Sequence, residues 1–122
     1  MAKKILLVDD SSTTRVMHRV LISRNTEYEV ESARDGEEGL RRAVTSRPDL
    51  ILMDIMMPGL SGLHVCRALK EDDRTKNIPI ILLTSKTGAA SIQSGFEFGC
   101  DEYLTKPIDE AVLLKALEKY LV

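Results

Sequence analysis

Three acids, a threonine and a lysine lie at the ends of strand-length segments of this chain. Together they could bind a divalent cation and a phosphate group. Asp9 and Asp10 follow the segment ILLV, and Asp54 follows LILM. Thr84 follows PIILL, and Lys106 comes directly after the short segment EYLT. A carboxylate at the end of a buried segment loses hydration unless a cation or hydrogen-bond donors compensate it. We therefore expect these residues to share one site.

Three carboxylates at one site repel one another, by roughly 4 kcal/mol for each pair at about 4 Å and an effective dielectric near 20. Protonation or a hard dication relieves that repulsion. Oxygen ligands suit Mg²⁺, which keeps several waters and accepts a phosphate as a further ligand. Lys106 adds a positive charge and Thr84 a hydroxyl donor. Such a site is equipped for phosphoryl transfer, with Asp54 as the nucleophile, because carboxylates form aspartyl phosphates.

The residues can meet only if the fold brings the ends of several strands together. Apolar segments of strand length alternate with segments of helical period, which indicates parallel βαβ units. The pattern predicts an α/β protein with five strands, five helices and a doubly wound parallel sheet covered by helices on both faces. Ligands of such sheets gather outside the carboxyl ends of the strands. The predicted strands are residues 5–8, 28–33, 50–53, 78–83 and 102–105.

Capping residues and apolar periodicity predict the helices. The first helix begins near Ser11 or Ser12, the second near Asp35 with Glu38 as a capping box, and the last near Asp109. The apolar residues that mark the helices are Val16, Met17, Val20 and Leu21 on one side of the first, Leu40, Ala43 and Val44 in the second, and Leu63, Cys66 and Leu69 in the third. In the last helix we expect Val112, Leu113, Ala116, Leu117 and Tyr120 to face inward. The fourth helix, residues 88–98, contains two glycines and two phenylalanines, and we expect a mobile segment that presents an apolar contact surface.

Length and composition predict one ordinary domain, residues 1–122, without an effector domain. The formal charge of −2 gives no support to direct nucleic-acid binding, and no apolar stretch approaches a membrane span of about 20 residues. The N-terminus does not read as a signal peptide. Cys66 and Cys100 lack metal-type spacing, so we interpret them as small buried hydrophobes in a reducing, cytoplasmic compartment.

The sequence resembles the receiver domain of bacterial two-component response regulators along nearly the whole chain. Four motifs carry the resemblance, in this order: LLVDDSS, LILMDIMMPGLSG, PIILLTS and DEYLTKP. Each lies at a different predicted strand end. The resemblance implies a flavodoxin-like (βα)5 fold with the strand order 2-1-3-4-5.

The resemblance also implies how the acids would act. Asp54 would take a phosphoryl group from a histidine kinase or a histidine phosphotransfer protein. Asp10, Asp54 and the backbone carbonyl of Met56 would hold Mg²⁺, with Asp9 acting largely through water. The chain would be a signalling switch that catalyses only its own phosphorylation and autodephosphorylation.

Three further residues would couple phosphorylation to a change of shape. Lys106 would pair with the phosphoryl oxygens, Thr84 would swing in to bond one of them, and Tyr103 would follow Thr84 from an exposed to a buried position. The Lys106–Pro107 bond is expected to be cis, as in relatives. The output would be contact with a downstream protein through the face of the fourth helix, the fifth strand and the last helix, by a monomer or weak dimer.

Some positions depart from the commoner pattern of the family. Ser85 and Cys100 replace alanines. Met56 and Lys86 would flank the phosphoryl group, and we expect them to alter the lifetime of the phosphorylated state. His18 and His64 lie on predicted helices without a nucleophile or metal partner, and are interpreted as structural or solvated.

Two other functions would fit the same fold. A flavodoxin-type FMN carrier could use the hydroxyl-rich SSTT segment, but two acids precede it and the chain has no Trp. A Mg²⁺-dependent phosphatase would need a general acid near Asp54, where Ile55 and Met56 stand. Within the preferred interpretation, a stand-alone receiver and the receiver of a longer regulator both stay open.

Overall fold

One parallel sheet organises the chain, whose computed structural model describes residues 2–84 and 97–121. Its five described strands, numbered in chain order, lie in the order 2-1-3-4-5, as expected. Within the described residues the elements are β1 Lys4–Val8, α1 Ser12–Asn25, β2 Glu29–Ala33, α2 Gly36–Ser46, β3 Leu50–Asp54, α3 Gly62–Glu71, β4 Ile80–Thr84, β5 Glu102–Thr105 and α4 Glu110–Leu121. The predicted helix at 88–98 lies outside the described residues except for Glu97 and Phe98, and so do Ser85, Lys86 and Phe96.

The strands begin and end within two residues of the predicted positions. β4 begins at Ile80 instead of residue 78, because Pro79 has no N–H to donate to a ladder. β3 extends one residue further than predicted and includes Asp54, which pairs in register with Leu83 of β4. Asp54 is therefore held inside the central strand of the sheet, between β1 and β4.

Alternating strand residues build two cores, one on each face of the sheet. The first core packs the sheet against α2 and α3 and includes Val8, Met53 and Val65. The second packs it against α1 and α4 and includes Leu7, Ile22 and Leu117. Cys66 and Cys100 lie buried in the first core as free thiols, and burial raises their pKa to about 12 and about 11, so both are inert hydrophobes as predicted.

The apolar side of α1 does not face the core, except at Leu21, which packs partly buried against the second core. Val16, Met17 and Val20 are 59%, 63% and 51% exposed. We call these three residues the α1 patch. The inward face is the opposite one, where the polar Arg15 and His18 precede the fully buried Ile22, and apolar periodicity cannot detect such a polar start. Val112 of α4 is likewise exposed, whereas Leu113, Ala116 and Leu117 are buried as predicted.

Side-chain caps start each helix. Ser11, Asp35 and Asp109 accept the backbone N–H groups predicted for them. Glu38 departs from an ideal capping box, because its carboxylate accepts the N–H of Arg34, the residue before the cap, at 2.7 Å. That hydrogen bond lowers the pKa of Glu38. None of the helices in residues 2–84 and 97–121 has the length and apolar content to cross a membrane.

A charged network ties the amino-terminal end of β4 to α3 and β5. Asp101 accepts the backbone N–H of Ile80 at 2.8 Å and the ammonium of Lys70 at 2.9 Å through the same oxygen, Oδ2. Lys70 also donates to the carbonyl of Ile78 at 2.8 Å. This network anchors the strand whose far end carries Thr84.

We expect Asp101→Ala to lower the free energy of unfolding by roughly 2–3 kcal/mol, because the buried Ile80 N–H and Lys70 lose a charged acceptor together. Urea unfolding at pH 7 measures the loss. Asp73→Ala is the control, because Asp73 is 93% exposed and pairs with Lys76 at the surface. That change should cost less than about 0.5 kcal/mol. Equal losses in the two variants would contradict the role given to the network.

Candidate functional site: an acidic cluster at the carboxyl edge of the sheet

Residues from four strand ends meet at the carboxyl edge of the sheet. Carboxylate oxygens of Asp9, Asp10 and Asp54 all lie within 4.8 Å of one another. The Nζ of Lys106 lies 2.9 Å from Asp54 Oδ2 and 3.9 Å from Asp9 Oδ2. Thr84 ends β4, the strand next to Asp54. The expected meeting of the acids with the lysine is confirmed, while their chemical roles stay predictions.

Asp54 is positioned by its strand and by the start of α3. The side chain is buried; its Oδ1 accepts the N–H of Met56 at 3.2 Å and its Oδ2 pairs with Lys106. A Cβ on Gly62, the first residue of α3, would overlap the carbonyl oxygen of Asp54. Gly62 also donates to the carbonyl of Ile55 at 2.9 Å. Glycine is thus required where the helix closes on the backbone that holds the carboxylate.

Asp9 is a buried acid with one oxygen left over. It is 3% exposed, and its Oδ1 accepts the N–H of Ser11 at 2.9 Å. Its Oδ2 is buried and has no hydrogen-bond partner among the described residues. Burial raises the pKa of Asp9 above its ordinary value; the Ser11 N–H opposes that rise and the charge of Asp54 adds to it. The negative charge of Asp9 is therefore incompletely compensated by the protein.

The cluster has the donor set that a hard dication prefers. Three carboxylates meet there, one of them with a buried oxygen that accepts no hydrogen bond among the described residues, and both thiols lie in the core instead. Mg²⁺ binds oxygen ligands of this kind and keeps waters in its remaining positions. Met56 follows the cluster in the β3–α3 loop with an exposed side chain. The residues present fit Mg²⁺.

The predicted switch residues lie beside the cluster on β4 and β5. Thr84 is buried at the end of β4, opposite Thr105 in register. Tyr103 is partly buried against the core that contains α2 and α3. Its burial is therefore intermediate between the exposed and the buried positions expected for it. Lys106 donates its backbone N–H to the Thr84 carbonyl at 2.7 Å, and the Lys106–Pro107 bond is cis as expected.

The two histidines have structural surroundings, in line with their interpretation. His64 Nδ1 lies 2.8 Å from the hydroxyl of Ser61, the cap of α3, and its ring meets Phe98 edge to face at 5.8 Å. His18 is partly buried on the inner side of α1, and burial lowers its pKa.

Sequence reasoning missed Arg15. Its guanidinium donates to the backbone carbonyl of Asp9, so it reaches the acid pair from the first turn of α1. Its partner is a backbone carbonyl, so no residue pattern signalled this contact.

We expect Asp9→Asn to raise the free energy of unfolding by roughly 1–2 kcal/mol at pH 7 in EDTA, the order of the cost of a buried unpartnered oxygen. Because the pKa of Asp9 is raised above its ordinary value of 3.8, the folded state binds more protons than the unfolded state just above pH 3.8, and stability falls as pH rises through that window. Asp9→Asn should lack this pH-dependent change in the free energy of unfolding.

Urea unfolding of both proteins between pH 4 and pH 7 checks this expectation. Asp73→Asn, at an exposed surface position, serves as the control and should behave like the wild type. A variant that is less stable than the wild type at pH 7 would contradict the electrostatic account of Asp9.

Comparison with known proteins assigns the chain. The family model described as "Response regulator receiver domain" matches residues 5–118. Protein PilH of Pseudomonas aeruginosa is 38% identical over 118 residues, which cover 97% of both chains. The structure of the chemotaxis response regulator CheY4 of Vibrio cholerae superposes with a TM-score of 0.90 and 36% identity, covering 99% of this chain and 100% of that one.

Relatives also include longer regulators. Response regulator PleD of Caulobacter vibrioides is 42% identical over 114 residues, which are 93% of this chain and 25% of PleD. The chain thus spans a quarter of that relative and nearly all of PilH. Receiver domains bind Mg²⁺ at an acidic pocket, work with histidine kinases or phosphotransfer proteins, and are signalling switches. With its acid cluster, lysine and strand order in place, this chain belongs to the response regulator receiver domain family.

Proposed function

We propose that the chain takes a phosphoryl group from a histidine kinase or histidine phosphotransfer protein onto Asp54, with Mg²⁺ bound beside it. The carrying observation is the placement of the Asp54 carboxylate, which lies 2.9 Å from Lys106 and within 4.8 Å of the carboxylates of Asp9 and Asp10. Asp10, Asp54 and the Met56 carbonyl would hold the ion, and Asp9 would act largely through water. Bound Mg²⁺ would neutralise charge on the phosphoryl oxygens.

Surroundings favour Asp54 over its neighbours as the phosphoacceptor. Asp10 is exposed, and Asp9 lies farther from the lysine, with its Oδ2 3.9 Å from the Nζ of Lys106. Asp54 alone of the three pairs with Lys106 at hydrogen-bond distance. In transfer, an oxygen of Asp54 attacks phosphorus, the P–N bond to the donor imidazole breaks, and the released nitrogen takes a proton from water. Lys106 is placed to move to a phosphoryl oxygen as the negative charge passes there. Attack of water on phosphorus later releases phosphate and restores Asp54.

Phosphorylation would shift the chain between two shapes through Thr84 and Tyr103. The added phosphoryl group carries about −1.5 to −2 charges and new acceptor oxygens. The Thr84 hydroxyl would turn toward it, and Tyr103 would move from its partly buried position to a deeper one. A full shift from 1:99 to 99:1 needs roughly 5.5 kcal/mol, so we expect partial switching that partner binding completes.

The downstream partner would bind the face that includes β5 and α4. A groove of about 820 Å³ runs between these elements. Leu104, Val112 and Ala116 give it apolar walls, and Glu102 and Lys119 form an ion pair at its edge. Because β5 also carries Tyr103 and leads to Lys106, a shift at the phosphorylation site would reach this groove directly. We infer a cytoplasmic protein that signals through such contacts as a monomer or weak dimer, without direct nucleic-acid binding.

We expect the wild type to gain the mass of one phosphoryl group when it is incubated with an acyl phosphate and Mg²⁺, and Asp54→Asn to gain none. Intact-protein mass spectrometry, with and without EDTA, measures both. Asp35→Asn is the matched control, because Asn also caps helices and the position lies outside the acid cluster. Phosphorylation of Asp54→Asn to the wild-type level would overturn the proposed function.

The phosphodonor protein must approach Asp54 across the carboxyl edge, and α1 starts at that edge. The α1 patch exposes three apolar side chains on this helix, and the helix carries three arginines and no acid. We infer that a helix of the donor protein, apolar with acidic flanks, packs on the α1 patch during transfer. The proposal gives a reason for an apolar surface that the monomer leaves uncovered.

We expect Met17→Glu to slow transfer from a histidine phosphotransfer protein by about tenfold or more, the effect of losing a central interface residue. Phosphorylation by an acyl phosphate should be unchanged, because that donor needs no docking surface. Val112→Glu, at an exposed apolar residue of α4, should leave both rates unchanged. Equal slowing with both donors would show damage to the site itself and contradict docking on the α1 patch.

A further inference from the structure

We propose that Arg15 is a positioning residue for the acid pair: by holding the backbone carbonyl of Asp9, it keeps Asp9 and Asp10 directed toward the cation. This inference rests on the proposed function, since it concerns how that same site binds Mg²⁺. Arg15 touches neither the phosphoryl group nor the ion in this account.

Three hydrogen bonds fix Asp9 from three directions. Its backbone N–H donates to the carbonyl of Ala33 in β2 at 3.1 Å. Its Oδ1 accepts the N–H of Ser11 at 2.9 Å, and its carbonyl accepts Nη1 of Arg15 at 2.5 Å. The oxygen that remains, Oδ2, is buried and has no hydrogen-bond partner among the described residues; the Nζ of Lys106 lies 3.9 Å from it. The bonds together leave this one oxygen for a cation.

The bond from Arg15 also bears on Asp10. The carbonyl of Asp9 and the N–H of Asp10 belong to one planar peptide unit. Holding that carbonyl therefore fixes the direction in which the chain leaves β1 toward Asp10. Asp10 is exposed and, unlike Asp54, is not inside a strand, so this peptide is the part of the cluster with the least support from the sheet.

The charge of Arg15 is not used in an ion pair with the cluster. Among residues 2–84 and 97–121, the ion pairs of the cluster involve Lys106, and Arg15 forms none. A cation at this place acts on Mg²⁺ binding in two opposing ways. Its charge repels the ion and weakens binding, whereas its hydrogen bond orients the ligands and strengthens binding. Replacing Arg15 by an uncharged residue therefore distinguishes the two effects. Mg²⁺ binding becomes weaker if the hydrogen bond matters more, and tighter if the charge matters more.

A purely structural role is the alternative, in which Arg15 only joins α1 to β1. Arg19 supplies a matched comparison, because it lies one turn later on α1 and donates to the Ser32 hydroxyl of β2 at 3.2 Å. It carries the same charge and makes a similar connection between helix and sheet. It does not contact the acid pair.

The test measures the Mg²⁺ dissociation constant of the whole chain by calorimetry at fixed ionic strength. Arg15→Met, which keeps an unbranched apolar side chain but removes the donors and the charge, should raise the constant about tenfold, the lower end of the effect of losing a partner of a metal ligand. Arg15→Lys, which keeps one donor, should bind more tightly than Arg15→Met. Arg19→Met should match the wild type.

Two further readouts separate orientation from general weakening. In metal-free protein, amide exchange of Ser11 should be faster in Arg15→Met than in Arg19→Met, because its acceptor on Asp9 is less fixed. In Arg15→Met, phosphorylation by an acyl phosphate should be slower than in the wild type at low Mg²⁺ and should reach the wild-type rate at saturating Mg²⁺. Urea unfolding in EDTA gives the loss of stability of each variant for comparison.

Unchanged or tighter Mg²⁺ binding by Arg15→Met would overturn the inference, and so would an equal loss in Arg19→Met. If Arg15→Met does not fold, Arg15→Lys decides alone: it should bind Mg²⁺ more weakly than Arg19→Lys, since a single donor replaces the guanidinium fork, and equal binding would overturn the inference. Failure of the proposed function would be seen separately, as a wild type that binds no Mg²⁺ and gains no phosphoryl group.

Discussion

Electrostatic repulsion between three carboxylates is the constraint around which this domain is built. Asp9, Asp10 and Asp54 bring oxygens within 4.8 Å of one another, and Lys106 contacts two of them. Such an arrangement opposes folding unless the surrounding structure holds it in place. The structure does so with the parallel strands β1 and β3, which are almost entirely buried and end at the same edge. Because the three carboxylates repel one another, a cation bound at this edge would relieve the repulsion.

The backbone that carries Asp54 is tightly packed, whereas Thr84 and Lys106 lie on strands nearer one side of the sheet. Asp54 ends the central strand, and the close approach of Gly62 leaves its backbone no room to shift. Thr84 and Lys106 lie at the ends of β4 and β5, toward one side of the sheet. A phosphoryl group on Asp54 would therefore act against a fixed carboxylate and displace the β4–β5 side, which leads to the β5–α4 groove. An FMN carrier would instead bring a phosphate to the segment after Asp9 and Asp10, where the two acids would repel it.

Much of the site could be predicted because strand ends are readable from sequence. Apolar strands buried on both faces, such as β1 and β3, give continuous signals, so the positions of Asp9 and Asp54 followed from the topology. The inner face of α1 could not be predicted, because its first two turns face the site with Arg15 and His18, and the apolar residues point outward instead. Arg15 was missed since its partner is a backbone carbonyl, which no residue pattern reveals. The contact of Glu38 was also not predicted, because its partner is the backbone N–H of Arg34.

The central claim is that the acid cluster holds Mg²⁺ so that Asp54 can carry a phosphoryl group. A crystal structure of the chain with Mg²⁺ and beryllium fluoride, which mimics a bound phosphoryl group, tests it most directly. We expect beryllium fluoride on Asp54, an ion that contacts Asp10, Asp54 and the Met56 carbonyl, and Lys106 and Thr84 bonded to fluorine atoms. Beryllium fluoride on another residue, or an ion that avoids the acid cluster, would contradict it.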